Sequence, residues 1–107
     1  MIFEYIHIGE KKNVVMTEEN YRKSLEKKAT PKGSYNLGNS IYNQERFDEA
    51  IRHYNEVIEK TGDNEVKSKA FHNLGNAHFG KQEFDKSIDA YKNALRLNSS
   101  DIETKRN

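Results

Sequence analysis

Apolar residues recur at helical spacing along most of the chain, in stripes separated by short polar stretches. Leu37 and Ile41 form one stripe, and a longer stripe runs from Ala50 to Ile58. The polar stretch at 43–46, between the two stripes, has the length of a tight turn. The pattern therefore predicts a helix, a turn, and a second helix that packs antiparallel to the first.

This helix–turn–helix pattern occurs twice, at a shift of 37 residues. The segment YNLGN at 35–39 recurs as HNLGN at 72–76, and eight identities align without a gap between 35–58 and 72–95. Gly38 lies inside a predicted helix, where glycine costs up to about 1 kcal/mol relative to alanine. Because the second copy keeps this glycine, we expect a neighbouring helix to cross too closely for a side chain.

The order of these positions resembles the tetratricopeptide repeat. The first copy carries the resemblance at Leu37, Gly38, Ala50, Tyr54 and Val57, and the second at Phe71, Leu74, Gly75, Ser87, Tyr91 and Ala94. Ser87 replaces the usual alanine, and the repeat exceeds the usual period of about 34 residues through a longer loop at 61–64. The resemblance implies an all-α, right-handed solenoid of helical hairpins with about two and a half to three repeats.

A single domain of such repeats is expected to span residues 1–107. Residues 31–62 form the first complete repeat and residues 65–98 the second. A degenerate repeat at 1–30 precedes them, with Tyr21 in the place of Tyr54 at a shift of 33. Residues 101–107 are expected to begin a further, truncated helix, so both ends are expected to interrupt a longer array.

The segment from Asn64 to Asn107 is similar to the tetratricopeptide proteins of bacterial aerotolerance (Bat) operons. This narrower resemblance implies a partner-binding protein within a membrane-associated bacterial envelope complex, facing the periplasm. Without it, a cytoplasmic location is the alternative.

The first helices of stacked helical pairs line the inner wall of a solenoid. Positions three and four apart on these helices share a face, which predicts a peptide-binding wall. Its predicted residues are Lys32, Tyr35, Asn36, Asn39, Tyr42, Asn43, Lys69, His72, Asn73, Asn76 and Phe79. Asparagine amides can pair with the backbone of an extended peptide, and the aromatic rings add flat contact area. The alternative is that the asparagines only satisfy neighbouring backbone and pack the turn.

A second surface is predicted at the start of the chain, where apolar residues lie on more than one face of a helix. These residues are Ile2, Phe3, Tyr5, Ile6 and Ile8. Exposed apolar area of this kind marks an interface. We expect either a preceding segment or a second copy to cover it, which makes a structural or homodimerising segment the alternative function.

The composition restricts the classes of function. Charged residues make up 33% of the chain but nearly cancel to a net charge of +1, and both signs are interspersed, which disfavours binding to nucleic acid. No apolar run approaches the roughly 20 residues that span a bilayer. The absence of cysteine excludes disulfides and thiolate metal sites.

Catalytic, cofactor and metal sites are not expected. The segment at 75–82 resembles a phosphate-binding loop, but it lacks the final serine or threonine and falls within a predicted helix and its turn. His72 and His78 are six residues apart and lie on different helical faces. The sequence therefore predicts a scaffold that binds a protein or peptide, not an enzyme.

Overall fold

The computed structural model describes the backbone of residues 17–106 and the side chains of residues 17–98. The helices in this part of the chain are α1 (17–27), α2 (Pro31–Asn43), α3 (Phe47–Lys60), α4 (Asn64–Gly80) and α5 (Phe84–Arg106). No strand occurs between residues 17 and 106. The predicted all-α fold of helical hairpins is confirmed. The predicted N-terminal interface, Ile2, Phe3, Tyr5, Ile6 and Ile8, lies outside the described residues.

Local sequence signals set where α2 and α4 begin. Thr30 caps α2 by accepting a hydrogen bond from the Gly33 N–H over 3.0 Å, and Pro31 occupies the first turn, where its missing N–H is not needed. Asp63 caps α4 by accepting from the N–H of Glu65 over 2.9 Å. Both helices therefore start at residues whose side chains satisfy free backbone donors.

The two turns inside the hairpins have the same backbone geometry. Glu45 and Gln82, one repeat apart, adopt φ angles of 61° and 63°. This left-handed region is unfavourable for residues that carry a Cβ atom. Each turn therefore holds a strained residue at the point where the chain reverses.

The core lies between the helices of the two hairpins. It is formed by Leu37, Ile41, Ala50, Tyr54, Leu74, Ala77 and Ala90. Helix α2 packs on α3, α3 on α4, and α4 on α5, whereas α2 and α4 share a smaller contact. Leu37 and Leu74, the repeated leucines, are both buried, as the periodicity predicts.

The repeated glycines lie against the repeated tyrosines. A Cβ atom on Gly38 would come within 2.9 Å of Cε1 of Tyr54, and one on Gly75 within 2.6 Å of the Tyr91 ring. Real side chains do not approach so closely, so both positions require glycine for packing. The prediction of a close crossing is confirmed at both sites.

Ser87, which stands where the repeat usually has alanine, is fully enclosed. Its hydroxyl donates to the backbone oxygen of Gly75 over 2.8 Å. This bond satisfies the buried hydroxyl and links α5 to α4.

The C-terminal segment corrects one expectation. Residues 101–106 continue α5 and do not begin a separate helix. The loop between α3 and α4 contains Gly62, but the corresponding stretch at 98–100 contains neither glycine nor proline. With neither glycine nor proline to interrupt it, α5 runs on.

A polar cluster joins α1 to the first hairpin. The carboxylate of Glu18, largely buried, accepts hydrogen bonds from Gln44 over 2.6 Å, Arg46 over 2.7 Å and Arg22 over 3.0 Å. Both arginines also pair with Glu49 of α3. Burial alone would raise the pKa of Glu18, but these hydrogen bonds outweigh it and hold the pKa below its ordinary value.

Candidate functional site

The predicted wall residues lie on α2 and α4, the first helices of the two hairpins. We call this surface the α2–α4 wall. Lys32, Asn43, Lys69, His72 and Phe79 are exposed, and the remaining six residues are half-buried. Aromatic residues at matching positions make matching contacts: the Tyr35 ring lies 6.1 Å from that of Tyr54, and the His72 ring lies 5.4 Å from that of Tyr91.

Side-chain hydrogen bonds join α2 to α4 across this wall. The amide of Asn73 donates to the Tyr35 hydroxyl over 2.8 Å and to Oδ1 of Asn39 over 2.9 Å. Oδ1 of Asn39 also accepts from the Tyr54 hydroxyl over 2.6 Å. Both donors of Asn73 and both acceptor positions of Asn39 are therefore used within the protein.

The second hairpin repeats part of this arrangement. Asn76 accepts a hydrogen bond from Tyr91, as Asn39 does from Tyr54, and donates weakly to Asn73 over 3.4 Å. The phenol of Tyr54 is fully buried, and burial, with smaller contributions from Tyr35 and Tyr42, raises its pKa above the ordinary value. A neutral tyrosine is thus fixed as a donor to Asn39.

A cleft of about 660 Å³ opens at the second hairpin. Its lining residues are Tyr35 from α2, Glu65, Ser68, Lys69, His72 and Asn73 from α4, and Tyr91, Ala94, Leu95 and Asn98 from α5. Four of these, Tyr35, Lys69, His72 and Asn73, belong to the predicted wall. The α5 residues were not predicted, because only the first helix of each pair was expected to form the wall.

A smaller cleft of about 200 Å³ lies at the first hairpin. It is lined by Thr17, Tyr21, Asn36, Asn39, Ser40 and Asn43. The repeat alignment places Tyr21 level with Tyr54, and that signal could have revealed its position beside α2. Seven of the eleven predicted wall residues are therefore divided between two clefts.

The remaining four predicted residues line neither of these clefts. Tyr42 packs on Phe47 with ring centres 5.6 Å apart, and Phe79 packs on Phe84 at 5.5 Å. Asn76 is engaged with Tyr91, and Lys32 is exposed. These side chains serve the packing of the hairpins or the surface around the clefts.

Several polar groups in the clefts keep hydrogen-bonding capacity. Within residues 17–98, Asn36 makes no side-chain hydrogen bond, the Tyr35 hydroxyl accepts one bond but donates none, and the Asn39 amide nitrogen donates none. Such groups can donate to peptide carbonyl oxygens, and Asn36 can also accept from a peptide N–H. The wall therefore offers unpaired donors beside a fixed interhelical network.

Among residues 17–98, no group of three or more histidine, aspartate or glutamate residues is arranged to hold a metal ion. None of the described helices is both long and apolar enough to cross a membrane.

Comparison with known proteins gives one family. The sequence profile of the tetratricopeptide repeat matches residues 32–100, which span α2 to α5 except for Pro31 and residues 101–106. None of the curated proteins compared with the chain matches it.

Proposed function

The chain belongs to the tetratricopeptide repeat family, and we propose that it is a non-catalytic scaffold that binds an extended segment of another protein along the α2–α4 wall. Tetratricopeptide repeats generally mediate protein–protein interaction. What this chain adds is a particular surface, with two clefts on one side of adjacent hairpins.

One observation carries the proposal: the Tyr35 hydroxyl and the Asn39 amide, two of the unpaired donors in the clefts, are held in place by contacts within the protein. Tyr35 is oriented by the hydrogen bond from Asn73 and by its contact with the Tyr54 ring. Asn39 is oriented by two donors. A partner therefore meets donors that are already ordered, which lowers the entropic cost of binding.

The clefts differ in chemistry. The larger one combines the rings of Tyr35 and Tyr91 with the charged groups of Lys69 and Glu65, which lie 3.4 Å apart. The smaller one is lined by amides, hydroxyls and Tyr21. A bound segment is expected to place an apolar or aromatic side chain in the larger cleft and to align its backbone with Asn36 and Asn39.

Selection from a phage-displayed library of linear peptides tests this function. The selected peptide is titrated into ¹⁵N-labelled protein, and amide shift changes are mapped. The proposal predicts changes concentrated at α2 and α4 around Tyr35, Asn36 and His72. Changes concentrated on the outer side of α3, around Arg52 and Glu59, would contradict it.

A finer proposal concerns context. The similarity of the segment from Asn64 to Asn107 to Bat-operon tetratricopeptide proteins supports a partner in a membrane-associated bacterial envelope complex. Co-purification from the membrane fraction of the native host with the products of neighbouring genes tests it. Recovery of the chain without any of those products would contradict this assignment and leave the binding wall unaffected.

A further inference from the structure

Large apolar side chains are exposed together on the last hairpin. The exposed fractions are 52% for Phe84, 50% for Ile88, 65% for Leu95 and 58% for Phe79. At 100° per residue, the first three share one face of α5, and Phe79 packs on Phe84 from α4. We call these four residues the end face. A patch of this kind marks an interaction surface.

The first hairpin shows how such a surface packs. Phe47, Ile51 and Ile58, one repeat before Phe84, Ile88 and Leu95, are partly buried in the core. Helix α4 packs on α3, and its Gly80 lies so close to Phe47 that a Cβ atom would come within 2.6 Å of the ring. The end face is therefore built to pack against a helix.

Charged residues border the end face along one side of α5. Asp85, Asp89, Lys92 and Arg96 fall within one sector of the helix next to the apolar stripe. We call these four residues the charged flank. Within residues 17–98, Asp85, Asp89 and Lys92 make no ion pair, and Arg96 donates to Asn93 over 2.7 Å. By contrast Asp48, one repeat before Asp85, pairs with Lys81.

The acidic and basic residues of the charged flank are segregated along α5. Both acidic residues precede both basic ones along α5. Asp85 and Arg96 lie equally far from the midpoint between Ala90 and Tyr91, and so do Asp89 and Lys92. A two-fold axis at that midpoint would bring the acidic half of one helix against the basic half of an identical, antiparallel helix. A parallel arrangement would bring like charges to the same level.

We propose that the end face binds a second copy of this chain, with the two α5 helices antiparallel and Asp85 and Asp89 of each facing Arg96 and Lys92 of the other. Apolar contact between the end faces supplies the attraction, and the charged flank sets the direction. Because two facing helices bury less area than a standard interface, the dimer is expected to be weak and concentration-dependent. None of the charged flank lines either cleft of the α2–α4 wall, whereas Leu95 of the end face also lines the larger cleft.

Sedimentation velocity on the whole chain over a dilution series measures this association. Two charge variants are compared, D85K/D89K and K92D/R96D. Each makes the charged flank uniform in sign, so each alone is expected to raise the dissociation constant at least about tenfold. An equal mixture of the two is expected to restore a dimer of mixed composition. K23D/K27D, on α1, changes the net charge as K92D/R96D does and should associate like the parent.

Different results would contradict the dimer itself and its antiparallel arrangement. A parent that stays monomeric at every concentration overturns the proposal, and so does a dimer that survives Ile88→Gln. Failure of the mixed charge variants to associate overturns the antiparallel arrangement. A monomeric parent whose end face instead captures a synthetic peptide of residues 64–80 would assign this face to a partner helix.

Discussion

The amide of Asn73 on α4 donates to Oδ1 of Asn39 on α2 over 2.9 Å, so two asparagines from adjacent repeats are bonded to each other. Asn36, which shares its repeat position with Asn73, makes no such bond among the described residues and lines the smaller cleft. Equivalent positions in the two repeats therefore have different roles. Asn73 ties the hairpins together, and Asn36 is available to a partner.

Alanine substitutions should separate these roles. Asn73→Ala removes two donated hydrogen bonds and should lower the free energy of unfolding by about 1–2 kcal/mol. Asn36→Ala removes none and should change it by less than about 0.5 kcal/mol. Urea denaturation of both variants measures the difference. Equal losses would show that the Asn73 bonds do not hold the hairpins together.

Gly75→Ala should destabilise the protein even though alanine is the better helix former. The new methyl group would lie 2.6 Å from the Tyr91 ring, and the resulting displacement should cost about 1–3 kcal/mol. Gly62→Ala is the matched control, because nothing lies within 4 Å of its Cβ position. The control should be neutral or slightly stabilising, since alanine restricts the unfolded chain. Similar melting temperatures for both variants would contradict the packing account.

Gln82→Gly should stabilise the protein by about 0.5–1 kcal/mol, because glycine adopts the left-handed φ of 63° without steric cost. Asn55→Gly, at an exposed position in the middle of α3, should instead destabilise by roughly 0.3–0.5 kcal/mol, because glycine is a poorer helix former than asparagine. Thermal denaturation compares the two. A loss of stability in both variants would mean that the turn is not strained at Gln82.

The cluster around Glu18 predicts a dependence of stability on pH. The hydrogen bonds from Gln44, Arg22 and Arg46 lower the pKa of Glu18 in the folded protein, against the effect of burial. Its contribution is therefore complete above the unfolded pKa of about 4.3 and is lost as the pH falls through the lower, folded pKa.

Glu18→Gln should accordingly reduce the free energy of unfolding by about 1–3 kcal/mol at neutral pH, and the difference from the parent should shrink in acid. Glu56→Gln, which removes an exposed pair with Lys60, should have little effect at any pH. Urea denaturation across the acid range gives the free energy of unfolding of both variants and the parent at each pH. A difference in free energy of unfolding between Glu18→Gln and the parent that does not change with pH would contradict the lowered pKa of Glu18 in the folded protein.

The fold was predictable because each sequence feature that indicates a helical hairpin occurs twice in the chain. Helical periodicity, the glycine pairs and the polar turns all occur at the same shift, and the structure places Gly38 and Gly75 against Tyr54 and Tyr91 accordingly. The course of α5 past Ser100 was not predictable from the repeat, since it depends on the absence of a helix-breaking residue rather than on a recurring position.

The site was less accessible to sequence reasoning. Projection onto a helix identifies which residues share a face, but it does not show which of them bond to each other. Asn39 and Asn73 were therefore predicted as binding residues in the same way as Asn36, although their amides are largely engaged with Tyr35, Tyr54 and each other. Cross-helix distances decide such cases, and these depend on how closely the helices approach.

Calorimetric titration of a library-selected peptide into three forms of the protein distinguishes binding at the α2–α4 wall from binding elsewhere. The parent is compared with Asn36→Ala/His72→Ala on the α2–α4 wall and with Arg52→Ala/Glu59→Ala on the exposed side of α3. If the peptide binds at the wall, the wall variant should bind it at least about tenfold more weakly, and the α3 variant should bind it like the parent. Unchanged affinity in the wall variant, or an equal loss in both variants, would contradict binding at the wall.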